Sequence, residues 1–272
     1  MEAPLYPEFP IVPPPAPGGQ PARWWVGPRY LAGDDGRLYD VVADTLASLG
    51  WTSYTMVRGR HAPDEPEEHR EVVRSTVLHT SPDGLSWAQW TLADEPIRLG
   101  ERPIAWQISA RAEPDSVASW SAYFTPDVPG EAVCDFLLAL DARDRPAVPF
   151  AGPELVLDAV AAHGWFRDIG TYRTATDLTF TAHISLREMP DLIQDGDPCA
   201  LTAEAGEEGP RGWQAWAEPV LGALPLWAAS FSASVPHDLV AAFAASASST
   251  APVLRRVLPE ATRERLLRAP AV

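Results

Sequence analysis

A set of eight residues occurs twice in this chain with the same internal spacing, and this repeat restricts the folds that the chain can adopt. The first set begins at Trp106 and the second at Trp213. Its members are Trp106, Gln107, Trp120, Phe124, Val128, Pro129, Val133 and Phe136, which recur as Trp213, Gln214, Trp227, Phe231, Val235, Pro236, Val240 and Phe243. A repeat of this length predicts two related structural units in tandem.

Alternating side chains predict two neighbouring strands in the first set, over residues 104–112 and 119–125. One face of these strands carries Trp106, Ile108, Ala110, Trp120, Ala122 and Phe124. The opposite face carries Gln107, Ser109, Arg111, Ser121, Tyr123 and Thr125. We expect the first face to be core, with the four repeated tryptophans buried in it. The second face should be exposed to solvent or bound to a partner.

Helical periodicity flanks the strands in both units. Apolar spacing predicts a helix over 38–49, stopped by Gly50, and an equivalent helix over 153–163. A second apolar stripe, over 133–140, predicts the helix that closes each unit. The fold class is therefore α+β: two tandem pseudo-repeats, each an antiparallel sheet of about four strands with flanking helices in the order helix, strands, helix.

These elements divide the chain into four parts. Residues 1–22 are rich in proline and should form a disordered arm. The first α+β unit covers 23–145 and the second covers 150–250. Residues 251–272 form an arginine-rich tail, which Pro259 is expected to split into two short helices.

Four short motifs follow one another along the chain. They are Pro28-Arg29-Tyr30-Leu31-Ala32-Gly33, Leu49-Gly50-Trp51, the turn Ser81-Pro82-Asp83-Gly84, and the stretch from Trp120 through Val133. Together they resemble a streptomycete family catalogued as a domain of unknown function, number three hundred and seventeen. The second unit lacks the Ser-Pro-Asp-Gly turn and looks diverged. The resemblance implies two tandem copies and an actinobacterial cytoplasmic protein, and it carries no catalytic residue to this chain.

The composition limits the classes of function. With 272 residues the chain is long enough for two units that each bury a core. The formal charge of −16 counts against nonspecific nucleic-acid binding, which needs clustered cations to neutralise phosphates. The sequence shows no secretory signal and no long apolar run, so we expect a cytoplasmic protein without a membrane partner.

Familiar catalytic motifs are missing from the sequence. It has no glycine-rich phosphate loop, no dinucleotide fingerprint and no Gly-x-Ser-x-Gly elbow. His61 and His69 flank an acidic loop that could hold a cation, although a solvated run of charge is the ordinary explanation. We therefore expect no catalytic residue, no cofactor and no metal, and we predict that the protein is not an enzyme. For a motif-less enzyme, carboxylates such as Asp44 and Glu131 would be the candidates.

Two polar and aromatic faces are the best candidates for contact with a partner. Tyr123 shares its face with Gln107 and Arg111, and Trp216 shares its face with Gln214. An ordinary half-exposed sheet is the alternative explanation, as is burial of the two units against each other.

The leading hypothesis is a non-enzymatic binding or scaffold protein whose partner is an unknown protein or small ligand. The second hypothesis is a nucleic-acid-associated protein that uses sheet aromatics and the tail. The tail arginines available for this role are Arg255, Arg256, Arg263, Arg265 and Arg268. A motif-less enzyme is the third hypothesis.

Overall fold

The structure is a computed structural model. It describes residues 23–59, 72–91, 98–169, 173–187 and 211–271. The proline-rich arm, the acidic loop with its two histidines and most of the acidic stretch before Gly212 lie outside the described residues, as do the predictions made for them.

The first unit follows strand β1 (Arg23–Gly27) and the one-turn helix α1 (Arg29–Ala32). Its two long helices are α2 (Leu38–Ser48) and α3 (Gly130–Asp141). Its strands are β2 (Thr52–Gly59), β3 (Val72–Thr80), β4 (Ser86–Thr91), the two-residue strands β5 (Arg98–Leu99) and β6 (Arg102–Pro103), β7 (Trp106–Ala110) and β8 (Trp120–Phe124). The predicted first helix is confirmed, and it buries Leu38, Val42 and Leu46.

The second unit repeats this order of elements. Its helices are α4 (Pro153–Ala161) and α5 (His237–Ser248). Its strands are β9 (Phe166–Arg167), β10 (Thr174–Thr176), β11 (Ala182–Arg187), β12 (Gly212–Ala217) and β13 (Trp227–Phe231). Each unit is therefore a helix, an antiparallel meander and a closing helix.

The two units do not form separate sheets. In the described residues their strands make one ten-stranded antiparallel sheet, in the order β2-β3-β4-β7-β8-β13-β12-β11-β10-β9. The prediction of two sheets of about four strands is therefore wrong, although the α+β class and the antiparallel pairing are confirmed. The units meet edge to edge through β8 and β13 instead of packing face to face, which also excludes burial of one sheet against the other.

An approximate two-fold axis relates the units. Tyr123 of β8 is the direct ladder partner of Ser230 of β13. These two positions are equivalent in the sequence repeat. The neighbouring ladder pairs, Ala122 with Phe231 and Phe124 with Ala229, are exchanged by the same axis. Strand pairing at the junction is thus self-complementary, as in a two-fold interface between identical subunits.

Four phenylalanines bring the two units into one core. Phe124 lies on β8 and Phe136 on α3, and their equivalents are Phe231 on β13 and Phe243 on α5. All four side chains are fully buried. The ring centroids of Phe124 and Phe231 are 5.6 Å apart, and those of Phe136 and Phe231 are 5.8 Å apart. The centre of the molecule is therefore aromatic packing between copies, at distances typical of favourable ring pairs.

The repeated tryptophans are confirmed as core residues. Trp106, Trp120, Trp213 and Trp227 are between 0% and 2% exposed. The indole N–H of Trp120 donates to the carbonyl oxygen of Pro146 at 3.0 Å, and that of Trp227 donates to the carbonyl oxygen of Tyr30 at 2.8 Å. These two indoles are held by segments outside the sheet, which ties the connections to the core.

The C-terminal tail contains strands where we predicted two short helices. It consists of β14 (Val253–Arg255), a 3₁₀ helix (Glu260–Arg265) and β15 (Leu267–Ala271). β14 and β15 pair with the two edges of β1 and form a three-stranded antiparallel sheet. The helical prediction was wrong because both edges of β1 offer backbone hydrogen-bonding groups that the tail satisfies.

Candidate ligand groove

The large sheet has a helix-covered face and an open face. The long helices that the structure describes pack on the face that carries Trp106 and Phe124. The opposite face, called the open face below, carries alternate residues such as Tyr123 and Trp216. The predicted division into a buried face and a polar face is therefore confirmed for β8, whereas in β7 Ser109 of the polar face is also buried.

A groove with a volume of about 500 Å³ crosses the open face over β8, β13 and β12. Strand β5 and Gly100 of the turn that follows it form one side of the groove. Six polar or aromatic residues that line the groove are Tyr123, Gln214, Trp216, Ser230, Arg98 and Arg187. The groove therefore lies over the junction between the two units, and both units contribute to it.

Three of the five predicted contact residues, Tyr123, Gln214 and Trp216, lie in this groove. Gln107 is the ladder partner of Tyr123 but does not line the groove, and its amide donates to the Ser109 hydroxyl at 3.3 Å. Arg111 lies at the far end of β7 and is used within the fold. It donates twice to the carbonyl oxygen of Gly84, at 3.0 and 2.8 Å. The predicted face thus divides into a groove and a separate arginine contact.

The ring of Trp216 is held in position from two sides. It stacks on His183, with ring centroids 4.9 Å apart and an interplanar angle of 23°. Its indole N–H donates to the Glu218 carboxylate at 3.0 Å, and the other carboxylate oxygen accepts the backbone N–H of Gly222 at 2.6 Å. A ring fixed in this way offers a flat surface that loses little conformational entropy when a ligand stacks on it.

Sequence reasoning missed three residues of the groove. Ser230 is the repeat equivalent of Tyr123, so the constant offset between the copies could have identified it. Arg98 belongs to a short hairpin that the alternation pattern does not reveal. Arg187 ends β11, in the half of the second unit that resembles the first unit least.

The tail does not form a free basic arm. Arg255 is 4% exposed, donates to both carboxylate oxygens of Glu131 at 2.6 and 2.7 Å, and donates to the carbonyl oxygen of Gly33 at 2.8 Å. Arg265 donates to the hydroxyls of Thr179 and Thr181 at 2.6 and 2.8 Å. These two arginines therefore make contacts within the fold, and their contact with a partner stays a prediction.

The remaining three tail arginines are exposed. Arg268 lies 5.9 Å from the centre of the Trp24 ring, in a cation–π contact. Arg256 and Arg263 extend from the surface. The tail therefore offers three accessible cations instead of five.

The carboxylates considered for catalysis lie away from the groove. Burial alone would raise the pKa of Glu131, but its hydrogen bonds with Arg255 and the charge of Arg255 outweigh burial and hold that pKa below the ordinary value. Asp44 is exposed on α2.

Burial raises the pKa of the Cys134 thiol to about 11, and its sulfur accepts a hydrogen bond from the Thr45 hydroxyl at 3.2 Å. Cys134 is therefore a protonated thiol at neutral pH.

Two further features bear on the class of protein. Within the described ranges, no group of three or more His, Cys, Asp or Glu side chains is arranged to hold a metal ion. None of the helices in the described part of the chain combines the length and the apolar character needed to cross a membrane.

The fold defines the class: an α+β protein in which two copies of one unit share a sheet and a core. A family model described as SPDY, Domain of unknown function (DUF317), matches residues 80–147 and again residues 196–253. The two matches together cover less than half of the chain, and they are consistent with the two tandem copies that the motifs indicated. Comparisons with curated proteins and with solved structures found no match.

Proposed function

We propose that this protein is a non-enzymatic binding protein and that its ligand site is the groove at the junction of the two copies. The observation that carries the proposal is the convergence of Tyr123, Gln214 and Trp216, from different copies, in one concavity on the open face. A groove formed by both copies exists only in the joined sheet, which gives the tandem arrangement a role in binding.

The differences between the copies support the same site. On the helix-covered face of the sheet the repeat keeps its tryptophans and its phenylalanine, although Ile108 is replaced by Ala215. On the open face Ser109 of copy one is replaced by Trp216 in copy two. In the same way Tyr123 is replaced by Ser230. Packing restricts the first face in both copies. The described long helices do not pack on the open face, so its two halves can specialise for different parts of one ligand.

The size of the groove favours a small ligand. Pockets that bind small molecules in proteins commonly have volumes of roughly 300–1,000 Å³, and the groove of about 500 Å³ falls within that range. Apolar groups of Leu99, Ile104 and Pro225 complete its lining. Apolar walls with a few polar groups are typical of small-molecule sites.

The nucleic-acid hypothesis has weaker support. Aromatic side chains on an open sheet are a feature of single-strand binders. However, Arg255 and Arg265 are bound within the protein, and the chain carries a formal charge of −16. An electrophoretic shift of a labelled single-stranded oligonucleotide at low salt, lost in a variant with Arg256, Arg263 and Arg268 changed to Gln, would favour this hypothesis over a small ligand.

A thermal-shift screen of small molecules tests the proposed function. Ligands of the native state raise the midpoint of unfolding. We expect compounds that raise the midpoint of the wild type to lose this effect in Trp216→Ala and in Tyr123→Ala. Trp87→Ala is the matched control, because Trp87 lies on the open face outside the groove. Compounds that stabilise all four proteins equally would place the ligand site elsewhere and contradict the proposal.

A further inference from the structure

We infer that the groove takes a small ligand in which a negative charge is attached to a flat apolar body. The inference rests on the proposed function and adds the chemical class of the ligand. Its basis is the combination of two arginines, a fixed indole and the absence of acidic side chains among the described residues that line the groove.

The described lining of the groove has a charge opposite to that of the protein. Arg98 and Arg187 both line it, and its described lining contains no Asp or Glu. The chain as a whole has a formal charge of −16. Clefts lined by one sign of charge concentrate ligands of the opposite sign.

Both arginines have donors available for a ligand. Arg98 uses one guanidinium nitrogen to donate to the carbonyl oxygen of Glu101 at 2.6 Å. Arg187 is exposed at the end of β11, and in the described part of the chain it has no ion-pair partner. A guanidinium presents several N–H groups in a planar fork that matches carboxylate, sulfonate or phosphate oxygens.

One acidic side chain lies beside the groove without being part of its described lining. Glu218 flanks it, and both carboxylate oxygens of Glu218 accept hydrogen bonds, from Trp216 and from the backbone N–H of Gly222. Glu218 therefore positions the indole. The exposed ring surface of Trp216, together with Tyr123 and the small side chain of Ala228, provides the flat apolar surface beside the cations.

The apolar body and the charge of the ligand can be tested separately with two fluorescent probes. 8-Anilinonaphthalene-1-sulfonate carries a sulfonate, and N-phenyl-1-naphthylamine has the same ring system without it. We expect the wild type to bind the sulfonate at least about tenfold more tightly than the neutral probe, since charge-assisted hydrogen bonds are the stronger ones. This preference should decrease as the ionic strength rises.

Four variants assign the effect to the groove. Replacing Arg98 and Arg187 together with Gln should weaken sulfonate binding about tenfold or more and leave the neutral probe unchanged. Trp216→Ala should weaken both probes. Replacing Arg256 and Arg263 together with Gln is the matched control, because it removes two exposed arginines from the tail and should leave both probes unchanged. Trp87→Ala controls for the loss of an open-face indole outside the groove.

The outcomes separate the inference from the proposed function. Equal affinities for the two probes, with no effect of the Arg98 and Arg187 replacements, would contradict the inference. If Trp216→Ala still weakened binding of both probes in that case, the groove would remain supported as the ligand site. Binding that none of the groove variants affects, or no binding of either probe, would contradict the proposed function as well.

Discussion

The two copies have kept most side chains on one face of the sheet and changed most of those on the other, with Ile108 and Ala215 differing on the first face and Gln107 and Gln214 retained on the second. The pairs retained on the helix-covered side are Trp106 and Trp213, Trp120 and Trp227, Phe124 and Phe231, and Phe136 and Phe243. The pairs that differ on the open face are Ser109 and Trp216, Ser121 and Ala228, and Tyr123 and Ser230. The close-packed interior restricts side-chain volume in both copies. The described long helices do not cover the open face, and the divergence of Tyr123 from Ser230 and of Ser109 from Trp216 makes the groove asymmetric.

The copies also differ at the turn before their third strand. In copy one, Gly84 has a φ of +69° and closes the turn that begins at Ser81. In copy two, the position structurally equivalent to Gly84 is Phe180, with a φ of +57°. A bulky residue in this region of φ is strained. Asp177 supports the turn by accepting the backbone N–H groups of Thr181 and Ala182 at 2.6 and 2.7 Å.

Both ends of the described chain hold copy two at this turn. The Tyr30 hydroxyl donates to the Asp177 carboxylate at 3.2 Å, and Arg265 of the tail donates to Thr179 and Thr181. The ring of Trp165 packs edge-on against Tyr30, with centroids 5.4 Å apart. The equivalent indole of copy one, Trp51, donates instead to Asp141 of its own unit. Contacts with the terminal segments thus accompany the strained turn of copy two.

The largest expected effect is loss of the shared core. Phe231→Ala, in copy two, should lower the free energy of unfolding by about 3–5 kcal/mol, because it leaves a cavity at the centre of the aromatic cluster. Since Phe231 touches Phe124 and Phe136 of copy one, backbone amides of both copies should lose protection from hydrogen exchange together.

Leu224→Ala is the control for this change, since Leu224 is 65% exposed and its truncation should alter stability by less than about 0.5 kcal/mol. Protection lost in copy two alone, with copy one unaffected, would show that the cores are separate.

The second-largest expected effect is loss of the Arg255 side chain, which extends from the tail and is buried against copy one. Arg255→Ala should cost about 2 kcal/mol, less than the roughly 3–5 kcal/mol for fully buried pairs because Glu131 is partly exposed. Arg256→Ala is the matched control, since the neighbouring side chain is exposed and its replacement should be close to neutral. Urea denaturation of both variants measures the difference.

The pH dependence of this pair has a definite sign. The folded-state pKa of Glu131 lies below its ordinary value of 4.5, so the stabilisation is complete above that value and is lost as pH falls through the lower, folded-state pKa. The stability difference between the wild type and Arg255→Ala should therefore narrow in acid. If the difference in stability between the two proteins stayed constant below pH 4.5, the ion pair of Glu131 with Arg255 would not be its source.

The smallest effect compares the two turns. Gly84→Ala should destabilise the protein by roughly 1 kcal/mol, because alanine is strained at a positive φ. Phe180→Gly should change stability by less than about 0.5 kcal/mol, since relief of backbone strain offsets the lost edge contact with Phe166, whose ring centroid is 5.2 Å away. Thermal unfolding of both variants measures these changes in stability. An equal loss of stability in the two variants would contradict the claim that Phe180 is strained and Gly84 is not.

Side-chain periodicity was enough to predict the units but not their joining. Packing in the core leaves a periodic pattern of apolar side chains in the sequence. That pattern predicted the burial of the repeated tryptophans, helix α2 and the face of β7 and β8 that the helices cover. β8 and β13 have the same alternation as other strands, so nothing local identifies them as partners. The tail was mispredicted for the same reason, because its strands depend on the distant edges of β1.

The candidate site was predictable to a similar extent. Alternation placed Tyr123, Gln214 and Trp216 on the polar face, and the groove contains all three. Arg98 and Arg187 were missed because their position depends on a short hairpin and on the end of β11, neither of which shows a periodic pattern.

The edge-to-edge junction is tested most directly by a disulfide across the two-fold axis. Tyr123→Cys and Ser230→Cys, introduced with Cys134 and Cys199 changed to Ala, place two thiols on directly paired residues. Paired strand positions are about 5 Å apart, within the range that a disulfide spans. Tyr123→Cys combined with Gln214→Cys is the control, because β13 lies between these strands and separates them by roughly 10 Å. We expect mild oxidation to form an intramolecular disulfide in the first pair and not in the control, detected by mass spectrometry of the digested protein. Free thiols in the first pair, or crosslinks only between molecules, would contradict a single sheet shared by the two copies.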